Sequence, residues 1–312
     1  MKPVIFDCDP GHDDAIALFL AIASDKLDVK LITVCGGNQT VDKTALNVLK
    51  IIEFLNFDVE VCKGAARPLI QELLTAEINH GVTGLDGPYF PPIKGEVSSR
   101  KAIEAQASVL RESNKKVTLI CTAPLTNIGL LLSVYPELKE KMERIIFMGG
   151  ACFGGNWTPK AEYNTIVDPH AAKIVVDSGI PITMCGLDVT NKAQIYPNEI
   201  EDFRNMGNKT GKLLAELLDF FGKSHTPNFL IGEADNGLHL HDVCAVAWAI
   251  APELFVYKNL FLDIETSKGY GFGSTVVDYD NCYNKKPNAD ICFDIDREAF
   301  VKLLFDHVKK LI

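Results

Sequence analysis

The sequence predicts one α/β domain, a mostly parallel central sheet flanked by helices on both faces, and three observations carry that expectation. Short β-branched or apolar runs alternate with helical patterns along residues 3 to 190. Such alternation indicates strands covered on both faces. Each run is followed at once by polar or glycine residues, and in open parallel sheets ligands bind outside the carboxyl ends of the strands.

The first unit is PVIFDCDPGHDDAIALFLA, residues 3 to 21: an apolar strand at Val4 to Phe6, a Pro10-Gly11 turn, and an apolar helix from Ala15. VKLITVCGGNQT (29 to 40) is a strand ending in Gly36-Gly37-Asn38, a helix spans Val41 to Leu55, and VEVCKG (59 to 64) repeats the strand-then-glycine ending. Residues 64 to 100 break the rhythm. NHGVTGLDGPYFPP (79 to 92) has little periodicity, and so long a loop in a compact domain suits a lid.

Alternation resumes with VTLICTAPLTNIGLLL (117 to 132), RIIFMGG (144 to 150), the helix DPHAAKIVVDSG (168 to 179) and PITMCGLDVT (181 to 190). Between them lies the polar loop ACFGGNWTPKAEYN (151 to 164). The rim rule gathers Asp9, Asn38, Thr122, Met148 and Asp188 at one edge. A helical pattern with one interruption runs from Asp202 to Lys223, then HTPNFLIGEADNGLHLHD (225 to 242) leads into the apolar helix VCAVAWAIA (243 to 251). FVYKNLFLDIET, STVVDY and ADICFDID are β-rich, and a last helix starts at Arg297. With no linker, charge block or repeat, residues 1–312 read as a single domain.

Composition narrows the function. The chain has 312 residues, 47% hydrophobic and 23% charged, with a net charge of -10. An acidic balance argues against nucleic-acid binding and suits a neutral or cationic ligand. The start enters a strand without a charged leader, and no apolar stretch reaches membrane-spanning length. Nine cysteines lack any C-x-x-C spacing, and Cys35, Cys62, Cys121 and Cys185 lie in or just after apolar runs. The reducing cytoplasm is the expected compartment.

Chemistry concentrates at Asp7, Asp9, Asp13 and Asp14. Acids so crowded at a strand end repel one another unless a cation sits among them, and hard cations such as calcium or magnesium take oxygen ligands. The plain alternative is that Asp13 caps the helix and the others are solvated. One cap does not need four acids.

Together these pieces resemble the inosine-uridine nucleoside hydrolase family over essentially the whole chain. The resemblance rests on DCDPGHDDAIAL (7 to 18), GNQT (37 to 40), HGVTGLDGP (80 to 88), TAPLTNIG (122 to 129), MGG (148 to 150), GNWTPKAEYN (155 to 164) and HD (241 to 242). The Cys8 and His12 variant is similar to the pyrimidine-leaning bacterial branch. The resemblance implies the nucleoside hydrolase fold with its Rossmann-like core, and a homotetramer or dimer. It implies calcium held by Asp9, Asp14, the Thr122 carbonyl and Asp242, with ribose bound by Asp13, Asn38, Asn156, Glu162 and Asn164. Met148 would line that pocket, and the base would sit near His80 and His241. The segment from Phe229 to His241 is longer than in that branch and adds His239, while Ala123 stands where relatives carry glycine.

The residue types suit the implied chemistry. Breaking an N-glycosidic bond passes through an oxocarbenium-like state, with water activated on one face and base departure assisted on the other. Asp9 is the natural general base, and His241 can protonate or hydrogen-bond the leaving base. Alternatives stand beside this reading. Tyr163 and Phe229 are core aromatics or stacking partners, Asp188 caps a turn or meets ligand, Asp242 is a helix cap or a ligand, and His12 reads as a loop histidine without a role. Two rival functions are a magnesium-dependent phosphatase built on Asp7-x-Asp9 and a ribonucleoside-binding protein without catalysis.

Overall fold

The computed structural model describes residues 1–224 and 237–312. In chain order these form β1 (Lys2–Cys8), α1 (His12–Ala23), β2 (Leu27–Val34), α2 (Val41–Phe54), β3 (Val61–Lys63), α3 (Glu77–His80), α4 (Ala102–Glu112), β4 (Val117–Cys121), α5 (Thr126–Val134) and β5 (Met142–Met148). Next come α6 (Tyr163–Val167), α7 (Pro169–Val176), β6 (Ile182–Cys185), α8 (Leu187–Thr190), β7 (Gln194–Ile195), α9 (Pro197–Arg204) and α10 (Lys209–Ser224). After the segment left undescribed follow β8 (Leu238–His239), α11 (Val243–Ile250), β9 (Phe255–Leu260), β10 (Leu262–Ile264), β11 (Thr275–Val277), β12 (Ala289–Ile295) and α12 (Arg297–Val308).

The main sheet has eight strands in the order β3-β2-β1-β4-β5-β6-β12-β9. All pairs are parallel except β12 with the edge strand β9. The chain runs outward from β1 to β3, then returns to lay β4 on the other side of β1. This reversal opens a crevice at the carboxyl ends of β1 and β4, where ligands collect in sheets of this kind.

Side-chain alternation in β1 feeds two cores. Val4, Phe6 and Cys8 join the layer containing α1, α2, α10, α11 and α12, while Ile5 joins the layer containing α4, α5 and α7. In α1 every residue from His12 to Ala21 is buried, and α11 is nearly as enclosed. Helices apolar on all sides belong in an interior, and these two pack against each other. Their N-termini therefore bring residues 13 and 14 beside residue 242.

The expected pattern differs from the structure in several places. Helix α4 was not expected, because AIEAQASVL carries small alanines in place of a strong apolar stripe. The interrupted helix is two elements, α9 and α10, and the long 64 to 100 segment contains α3. FVYKNLFLDIET divides between β9 in the main sheet and β10, which pairs with β11 in a separate hairpin. Among the described residues no helix is long and apolar enough to cross a membrane.

Candidate active site

The crevice is lined by acids set by backbone geometry. Asp9 follows β1 and is fully buried; its Oδ2 accepts from Asn38 N at 2.6 Å, and its Oδ1 has no hydrogen-bond partner among the described residues. A Cβ at Gly37 would lie 2.0 Å from that Oδ2, so only glycine lets the β2 loop approach so closely. Asn38 also bridges to Asp14, donating from Nδ2 to Oδ2 at 3.2 Å. Asp14 further accepts from Gly11 N at 3.0 Å and from the Thr122 hydroxyl at 2.6 Å.

Asp13, Asp14 and Asp242 form the tightest group, each offering a carboxylate oxygen within 4.8 Å of the others. Asp242 occupies the N-cap position of α11 yet makes no capping bond with its side chain, so the plain cap reading fails. Its carboxylate turns to α1 instead. Asp9 stands outside this trio, because Asn38 holds it on the β1 side.

Burial is the first cause of pushing all four carboxyls up. Asp13 reaches about 7 with help from the Asp14 charge, Asp14 is raised, and Asp9 and Asp242 lie well above the usual carboxylate range. Among the described residues no lysine or arginine pairs with any of them. Buried acids without cationic partners, one carrying an orphaned oxygen, fit a hard divalent cation. Two helix N-termini at the same spot add favourable dipoles for the acids themselves.

Around this centre Asn164 donates from Nδ2 to the Thr122 carbonyl at 2.8 Å and to the Met148 carbonyl at 3.2 Å, tying the ends of β4 and β5 together. A carbonyl has a second lone pair, so Thr122 O keeps acceptor capacity. Glu162 caps α6 and accepts from Gly150 N, Asn164 N and Thr165 N at 2.9, 3.0 and 3.2 Å; burial pushes its carboxyl to about 7. Asn156 is exposed, its Oδ1 accepting from Tyr163 N. Tyr163 is a core aromatic here, packed with Ala76 and Val167 and donating its hydroxyl to Leu74 O at 2.7 Å. Asp188 clamps a loop, accepting from Cys152 N and Phe153 N at 2.6 and 3.1 Å.

The histidines form two groups, His12 with His80 and His239 with His241, each with a member next to an acid of the site. His80 ends α3, buried, with its Nδ1 3.2 Å from His12 Nδ1, and both rings stack on Phe221. His12 is thus no idle loop residue: its Nε2 lies 2.8 Å from Asp86 O, and its backbone N–H contacts His80 Nδ1 at 3.3 Å. His239 Nε2 lies 3.1 Å from Gln194 Nε2, and its ring meets His241 edge-on at 5.5 Å between centroids. His241 Nδ1 is 2.7 Å from the hydroxyl of Thr190. Phe229 lies outside the described residues. Ala123 does not adopt positive φ, so it replaces glycine without backbone strain.

Beneath the acids Asp7 accepts from Asn127 Nδ2 at 2.8 Å and from the Thr33 hydroxyl, and burial moves its carboxyl to about 7. It is bound to β2 and α5. The contacts through His12, Thr190 and Gln194 were missed from the sequence, where only proximity to motif residues could have hinted at them.

Comparison with known proteins agrees with this architecture. The chain is 49% identical over 311 residues to the pyrimidine-specific ribonucleoside hydrolase RihA of Escherichia coli O8 (strain IAI1), with 98% of each chain covered. It superposes on the purine-preferring ribonucleoside hydrolase from Gardnerella vaginalis with a TM-score of 0.91 at 27% identity, covering 99% of this chain and 98% of that one. A plant nucleoside hydrolase gives a TM-score of 0.91 at 28% identity, with 99% of both chains covered. The inosine-uridine preferring nucleoside hydrolase pattern matches residues 4–302. With the acid-lined crevice at the sheet's reversal point, these likenesses establish that the chain belongs to the inosine-uridine preferring nucleoside hydrolase family.

Proposed function

We propose that residues 1–312 work as a single nucleoside hydrolase domain that cleaves the N-glycosidic bond of pyrimidine ribonucleosides such as uridine or cytidine, giving ribose and free base for nucleoside salvage. The observation that carries this is the buried group of Asp13, Asp14 and Asp242, drawn from both ends of the chain. The 49% identity to a pyrimidine-specific relative supports the choice of base.

Calcium is the proposed cation, with Asp9, Asp14, Asp242 and the Thr122 carbonyl as its holders and Asp13 and Asn38 beside them. When bound, it would orient the sugar diol and lower the pKa of water. Asp9 takes one proton from the attacking water through its buried carboxylate, as the water oxygen bonds to C1′. The C1′–N bond breaks with its electron pair leaving on the base, and His241 supplies the second proton. Asn164, Glu162 and Asn156 order the ribose side of the pocket, where Met148 closes the floor. His80, His239 and Phe229 belong to the base side.

A phosphatase is disfavoured because, among the described residues, no lysine or arginine pairs with the acids where a phosphate would be received. Incubation with uridine, cytidine, inosine and an aryl phosphate tests the reading. Free base from the pyrimidine nucleosides and no phosphate release are expected. Phosphate release, or ribonucleoside binding without base release over hours, would overturn it. A homotetramer or dimer in the cytoplasm is the proposed physiological form, which light scattering after size exclusion tests for the assembly.

A further inference from the structure

We propose that Thr190 is a positioning residue that holds the imidazole of His241 in the orientation from which it serves the leaving base. Thr190 is fully buried at the end of α8, and the only hydrogen-bond partner of its hydroxyl among the described residues is His241 Nδ1, at 2.7 Å. The short helix is itself fastened. Leu187 N donates to Gly150 O at 2.9 Å, Thr190 N donates to Gly186 O at 3.0 Å, and Asp188 grips the loop after β5.

The backbone beside the histidine is pinned as well, since Leu240 N donates to Ala193 O at 3.0 Å. A hydroxyl on a fixed helix restricts the rotation of the ring at its Nδ1 edge. A threonine hydroxyl can donate to a bare Nδ1 or accept from Nδ1–H, so the contact persists in either protonation state of the ring. With Nδ1 engaged by Thr190, proton exchange with substrate falls to Nε2. The Nε2 proton of the imidazolium passes to the base as the C1′–N electron pair leaves with it, and Nδ1–H is retained, donating to the Thr190 hydroxyl throughout.

This inference rests on the reading of His241 as the group that protonates the leaving base, and the test separates the two. Uridine requires a proton on its departing base, whereas p-nitrophenyl riboside releases a phenolate that requires none. Thr190→Val keeps the shape and removes the hydroxyl, and Thr190→Ser restores it. Thr190→Val should lower kcat on uridine about tenfold, the scale of one lost hydrogen bond, with KM little changed. Turnover of p-nitrophenyl riboside should be unaffected, and Thr190→Ser should recover the uridine rate. In the His241→Ala background, Thr190→Val should have no further effect.

Equal losses on both substrates, no loss on uridine, or a full additional loss in the double variant would overturn the positioning role. If Thr190→Val does not fold, Thr190→Ala against Thr190→Ser reads the same contrast. His241→Ala alone, tested on the same pair of substrates, addresses the proton donor: undiminished uridine turnover there would remove that reading, whatever Thr190 does.

Discussion

The acids of the crevice and the histidines next to them are held in different ways. Asp9, Asp13, Asp14 and Asp242 lie at strand ends and helix N-termini, deeply buried, with Asp9 and Asp14 fixed by bonds from Asn38, Gly11 and Thr122. His80, His239 and His241 sit on short elements, α3 and the β8 junction, and their contacts include the side chains of His12, Gln194 and Thr190. On the proposed reading the sugar and its cation demand one geometry, and the rigid part of the fold would supply it. Bases differ in shape and in their donors, and the histidines proposed to meet them stand on short elements apart from the main sheet.

That contrast can be broken most severely on the acid side. Asp9→Ala should reduce kcat on uridine by about a thousandfold or more, since it removes the proposed general base and cation holder together; steady-state base release checks it, and ordinary turnover would remove Asp9 from both roles. On the histidine side, His241→Ala should cost about a hundredfold on uridine and little on p-nitrophenyl riboside. A uniform loss would mean that the ring supports structure rather than proton transfer.

A stability measurement sharpens the same comparison. Carboxyls raised in the folded state hold protons that the unfolded chain has lost, so their contribution is fully present below about pH 4 and falls as pH rises toward about 7 and beyond. Metal-free protein should therefore gain more in melting temperature from calcium at pH 8 than at pH 5.5, because cation binding requires deprotonated ligands. Equal gains at both pH values would show that the acids do not carry the ion. The smallest effect is expected from Gln194→Ala, which loosens His239: a change of a few-fold in the ratio of uridine to inosine turnover, with p-nitrophenyl riboside unchanged.

Much of the acid side was legible in the sequence, because its parts are local. A strand, a Pro10-Gly11 turn and four acids within eight positions announce a charged strand end. Asp242 required knowing that α1 and α11 pack together, which the family resemblance supplied and periodicity could not. The order of the late strands was illegible, since β12 enters between β6 and β9 through pairings distant in sequence. Glu162 was read as a ribose-side residue, and its hydrogen bonds from Gly150 N, Asn164 N and Thr165 N give it in addition a capping duty that a polar loop sequence does not reveal. Thr190 was invisible for a related reason: its contact with His241 spans 51 residues and uses one hydroxyl.

Calorimetric titration of calcium into metal-free protein, comparing the natural chain with Asp242→Asn, tests the central claim most directly. The account predicts one site per chain in the natural protein and loss of that binding in the variant, with the fold retained by circular dichroism. Undiminished calcium binding by a folded Asp242→Asn protein, or none by the natural chain, would contradict it.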